Sequence, residues 1–110
     1  MNLPSNHKAG LLNGDQRLVT ADLASFRQQM DAAMSKFLEI ELKVGQTFAK
    51  AAINAQWTRE LLHNRRLARR AYVTTTRLMG SAKLTEANAR KVARELQILR
   101  LLLSQLGDSL

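Results

Sequence analysis

Apolar residues recur along most of this chain at intervals of three and four, the spacing of a helix with one face turned inward. At 100° per residue, Leu23, Phe26, Met30, Ala33, Phe37, Val44, Phe48, Ala51 and Ala55 fall within a sector roughly 80° wide. This predicts a long first helix over about 21–55, with Thr20 as N-cap and Asp22 in its first turn. A second apolar seam, Trp57, Leu61, Asn64, Ala68, Ala71, Tyr72, Thr75, Leu78 and Met79, predicts a helix over about 57–79. Its middle is built of small residues, which let a neighbouring helix approach closely. Gly80-Ser81 reads as a turn with Gly80 at the C′ position. A third helix follows over about 85–106, capped by Thr85 and ended by Gly107, with the seam Val92, Leu96, Leu99, Leu103 and Leu106. Ile98 and Leu102 widen that seam. No sustained alternation of apolar and polar positions competes as a strand.

Short connections force neighbouring helices to be antiparallel, so the expected fold is all-α: a three-helix antiparallel bundle over residues 21–110. Residues 1–20 carry Pro4, Ser5, Asn6, Gly10, Asn13, Gly14 and Asp15, which predict a loose, flexible N-terminal arm.

Helix lengths do not match. At 1.5 Å per residue the first helix spans about 50 Å and the others about 33–35 Å. Its first ten or so residues therefore overhang, leaving Leu23, Phe26 and Met30 without a partner in the bundle. An uncovered apolar stripe normally marks an interface. Either the arm folds back over it, or the helix breaks near Gly45, or a second copy covers it.

Two polar residues interrupt the seams. Glu41 lies between Phe37 and Val44, and a carboxylate there needs a partner. In a hairpin turning near residue 56, Tyr72 and Arg69 come within its reach. Asn64 is the counterpart in helix two. Both read foremost as residues that fix helix register, with ligand binding as a second reading and, for Glu41, a different helix phase as a third.

Charge changes the picture in one place. Between Arg59 and Arg94 ten basic residues face two acidic ones, so this stretch holds the whole net charge of +8. On helix two, Arg59, Arg66, Arg70 and Arg77 lie roughly 140–180° from Leu61, flanked by Arg65 and Arg69. Arg90, Lys91 and Arg94 add to the charge near the start of helix three. The stripe reads as a solvated face, as a site for an acidic protein or membrane surface, or as a contact to nucleic-acid phosphates. Its lack of an aromatic counts against base stacking.

Candidate chemistry is sparse. The chain has no cysteine, which excludes disulfides and thiolate metal sites and suits a reducing cytoplasm. Residues 1–20 hold no secretory apolar core, and the longest apolar run in the C-terminal helix, Leu101-Leu102-Leu103, cannot span a membrane. His7 and His63 have no metal-ligand company, Glu39 and Glu41 point apart, and no serine–histidine–aspartate arrangement or phosphate-cradling glycine loop is present. The expectation is a non-enzymatic protein without metal, cofactor or small-molecule substrate.

The residues Glu41-Leu42, Thr47-Phe48-Ala49, Asn64, Ala68-Arg69-Arg70-Ala71-Tyr72 and Leu106-Gly107 together resemble a group of short uncharacterised bacterial helical proteins with an N…AR.AY.T helix flanked by two others. The resemblance covers residues 38–107. It implies a three-helix fold and no chemistry. The first two helices also resemble one tetratricopeptide hairpin, which implies protein binding, although no 34-residue repeat follows. The sequence therefore points to an interaction or assembly module that self-associates, or binds a helical partner, through Leu23, Phe26 and Met30. The alternative is nucleic-acid binding through Arg59, Arg66, Arg69, Arg70 and Arg77.

Overall fold

The computed structural model describes the backbone of residues 5–108 and 110, and the side chains of residues 20–108 and 110. The described residues form three α-helices: α1 Ser5–Ile53, α2 Thr58–Met79 and α3 Glu86–Gln105. The all-α fold with a long first helix is as expected. The helix start expected at Thr20 is not: α1 runs through that residue. Of the arm expected over 1–20, residues 1–19 lie outside the described side chains.

Contacts divide the chain into two units, Met1–Met30 and Asp31–Leu110. In the first, every described side chain from Thr20 to Met30 is exposed. In the second, the rest of α1 packs with α2 and α3. Glu39 reaches Lys91, Gln46 reaches the Glu95 carbonyl, and Gly45 faces Leu99. This segment of α1 and α3 therefore run parallel. The turns at 54–57 and 80–85 are short, so α2 runs against both.

The core of this unit is aliphatic and small. Leu38, Leu42, Ala49, Ala68, Val92, Leu99 and Leu103 have no exposed surface, and Phe48, Tyr72, Leu96 and Leu106 pack around them. Each buried leucine stabilises the fold by about 1.5–3 kcal/mol relative to an exposed one. The seams of α2 and α3 follow the sequence reading at Ala68, Ala71, Thr75, Val92, Leu99 and Leu103.

The seam of α1 does not. Its buried face is Ser35, Leu38, Leu42, Gly45, Gln46, Ala49 and Ala52, rotated by about 120° from the expected sector. Phe37 and Val44 are exposed, while Phe48, Ala51 and Ala55 are partly buried at the margin. The cause is Gly45. A Cβ placed there would stand 2.8 Å from Ala71 Cβ and 2.9 Å from Leu99 Cδ2. The helix backbone itself is in contact with both neighbours, and only a face of small residues permits that approach. The break considered near Gly45 is absent, since α1 is continuous through it.

Two further expectations change. Trp57 is 71% exposed. It is the N-cap of α2, with extended backbone (φ −118°, ψ 140°), so the helical phase that put it in the seam does not apply to it. Gly80 is right-handed helical (φ −65°) and ends α2 without a left-handed turn. Thr85 caps α3 as expected, its hydroxyl accepting from the Asn88 amide at 3.2 Å.

Replacing Gly45 by alanine gains about 1 kcal/mol of helix propensity but overfills the contact at a cost of about 1–3 kcal/mol. Urea denaturation of Gly45→Ala is expected to show a net loss of about 1 kcal/mol, within a range of roughly 0–2 kcal/mol. In a double-mutant cycle, Ala71→Gly should recover part of the loss by opening the same contact. At Thr75, fully buried with a hydroxyl that has no hydrogen-bond partner, Thr75→Val is expected to raise stability by about 1 kcal/mol in the same assay.

Candidate functional site

α2 carries the candidate charged surface, and its placement follows from its buried side. Ala68, Ala71 and Thr75 face the bundle. Arg59 and Arg77 are five whole turns apart and point the same way, with Arg66 and Arg70 about 20° to either side of that line. All four are exposed, as is Arg69 on the flank. The row is about 27 Å long at 1.5 Å per residue. Arg66, Arg69, Arg70, Val73, Thr74 and Arg77 line a shallow depression on the helix surface. A second one, at the start of α2, is lined by Trp57, Arg59, Glu60 and His63.

None of these five arginines forms an ion pair or a side-chain hydrogen bond among the described residues. The ion pairs there are Arg65–Asp108, Arg90–Glu86 and Lys91–Glu39. Arg65 is thus separated from the row by its partner. Its Nε donates to Asp108 Oδ1 at 3.0 Å and its terminal nitrogen donates to the same oxygen.

The turn after α3 places that aspartate. Gly107 takes φ +91°, a conformation open to glycine and strained for other residues. The Gly107 amide then donates to the Ser104 carbonyl, and the Asp108 amide to that of Leu103. This is a Schellman turn, and it directs the Asp108 side chain inward to 2% exposure, with Oδ2 lacking a partner. A glycine–aspartate pair after a leucine helix could have signalled a buried carboxylate in search of an arginine.

The expected register residues behave differently. Glu41, Asn64 and Tyr72 are all partly buried. None makes a side-chain hydrogen bond or ion pair among the described residues, so Glu41 is not paired with Tyr72 or Arg69 as expected. The rotated phase of α1 moves Glu41 to the margin, and Gln46 takes the register role instead. Buried at the helix contact, its Nε2 donates to the Glu95 carbonyl at 3.0 Å.

Leu23, Phe26 and Met30 are exposed in the N-terminal unit, at 53–57%. In the C-terminal unit Phe37, Ile40 and Val44 are exposed as well, a group that the expected phase of α1 would have buried in part. His63 is exposed, and His7 lies outside the described side chains. Among the described residues no cluster of three or more histidines or carboxylates stands ready for a metal ion. No helix there is long and apolar enough to cross a membrane. Compared with protein-family models, with curated proteins and with solved structures, the chain matches none.

The Arg65–Asp108 pair is asymmetric, with side chains 32% and 2% exposed. Removing Asp108 leaves an arginine that reaches water, while removing Arg65 strands a buried carboxylate. Arg65→Ala is therefore expected to cost more than Asp108→Ala, about 2–3 kcal/mol against about 1 kcal/mol, limited by fraying of the last turn. Chemical denaturation of both variants checks the order.

Proposed function

We propose that this chain is a non-enzymatic interaction module that self-associates through exposed apolar residues of α1. The observation that carries this reading is the exposure of large apolar side chains there. Leu23, Phe26 and Met30 supply them in the N-terminal unit, and Phe37, Ile40 and Val44 in the C-terminal unit. Exposed apolar groups of this kind are the usual material of protein interfaces.

Charge favours a second copy as the partner. Between Thr20 and Ile53 there are four acidic residues (Asp22, Asp31, Glu39, Glu41) and four basic ones (Arg27, Lys36, Lys43, Lys50). A copy-to-copy contact on α1 therefore meets no net repulsion, whereas one on α2 would oppose arginine to arginine. A reducing cytoplasm suits a chain without cysteine.

Light scattering coupled to gel filtration tests the proposal. The wild-type chain is expected to run as a dimer or higher species. Phe26→Glu and Phe37→Glu, each placing a charge on an exposed apolar position, are expected to shift it toward monomer with unchanged helicity. A wild-type monomer at high protein concentration would remove the basis of the reading.

A further inference from the structure

The arginine row of α2 lies outside the apolar residues of α1 proposed for self-association, and its own geometry carries a separate assignment. We infer that the outer face of α2 binds the phosphodiester backbone of a double-stranded nucleic acid, without reading its sequence.

Four observations lead there. Arg59, Arg66, Arg70 and Arg77 stand within about 20° of one line on a regular helix, so the cations form a straight, pre-ordered row. No described carboxylate neutralises them. All are arginine, whose planar fork grips phosphate oxygens in pairs. The centre line of the face is the charge itself, with the half-exposed Leu62 and Val73 to one side.

That last point separates the possible occupants. Protein interfaces admit arginine but build their centre from aromatic and apolar groups, and the centre line of this face has none. Helices that lie on a membrane insert an apolar face beneath their cations. The corresponding face of α2 is Ala68, Ala71 and Thr75, already buried in the bundle. A double helix needs neither. It carries one phosphate charge for every 1.7 Å or so of its axis, wound around the duplex, so a straight row of about 27 Å, most of one turn of about 34 Å, crosses phosphate strands wherever it lies. Single strands are held by aromatic platforms repeated along a groove, and the row has one aromatic neighbour, Trp57, at its start.

Trp57 provides a built-in reporter. It is the one tryptophan of the chain, it is exposed, and it borders the same depression as Arg59.

The experiment follows anisotropy of labelled DNA and RNA duplexes of about 20 base pairs, with Trp57 fluorescence in parallel. Four to five phosphate contacts predict a slope of about −4 in log affinity against log salt. Raising salt from about 50 to 200 mM should then weaken binding roughly 10²-fold. The double variant Arg66→Gln/Arg70→Gln, altered only at exposed positions, should retain its circular dichroism, reduce the slope by about two and bind at least roughly tenfold more weakly at low salt. Equal affinities for DNA and RNA duplexes, or a preference between them, identify which double helix is favoured within the same assignment. Absence of binding at low salt, unchanged binding by the double variant, or tighter binding to polyglutamate or to phosphatidylserine vesicles would each overturn it.

Discussion

The packing of residues 31–110 turns on the contact at Gly45. There the backbone of α1 meets Ala71 of α2 and Leu99 of α3, with no room for even a methyl group. So close an approach fixes the rotation of α1 about its axis. The buried side then consists of Ser35, Gly45, Gln46, Ala49 and Ala52 together with Leu38 and Leu42, and the bulkier Phe37, Ile40 and Val44 are turned away. The exposure of Phe37, Ile40 and Val44 follows from this contact and is no separate accident of composition. The same closeness explains the small inner face of α2. Ala68, Ala71 and Thr75 are what a helix presents when its neighbour comes this near.

Much of the fold was legible from the sequence because α2 and α3 each have a single apolar direction. Apart from Trp57, their seams, their limits to within a residue and the Thr85 cap follow from spacing and capping chemistry. α1 has two apolar directions. Within residues 31–53, Leu38, Leu42, Ala49 and Ala52 line one, and Phe37, Ile40 and Val44 line the other. Hydrophobicity alone selects the bulkier set, whereas packing selects the one that allows contact at Gly45. A glycine within a long helical pattern was the available clue, and it reads as a weak point until the neighbours are known. The arginine face was legible since exposure and helical phase agree there. The diversion of Arg65 was not, because it depends on a partner 43 residues away that only the turn at Gly107 brings into place.

Polar contacts inside the bundle serve position more than strength. Gln46 donates to the Glu95 carbonyl and sets α1 lengthwise against α3, a task the sequence reading gave to Glu41. The Lys91–Glu39 pair, at 3.6 Å, supports the same alignment nearer the start of α3. At the other end Asp108 holds the last turn against α2 through Arg65. An exposed ion pair contributes little, but a carboxylate with 2% exposure costs free energy unless its arginine stays in place. These few contacts explain why Arg65 differs from its neighbours on α2, although all are arginines on one helix.

The remaining arginines sit against the local interest of the fold. Arg66 and Arg70 are four residues apart and Arg66 and Arg69 three, spacings at which like charges on a helix destabilise it by about 0.2–0.5 kcal/mol per pair. The small inner face of α2 offers limited apolar burial to offset this, and no described carboxylate relieves it. Arg77 gains from the helix dipole at the C-terminal end, but Arg59 stands at the unfavourable N-terminal end. A solvated polar face needs no such arrangement, since interspersed glutamate or glutamine would keep the helix soluble without the like-charge cost. Where residue choice conflicts with local stability and no internal contact compensates, the compensation is to be sought outside the chain. A polyanion bound along the row would screen the repulsion and stabilise the folded state by mass action.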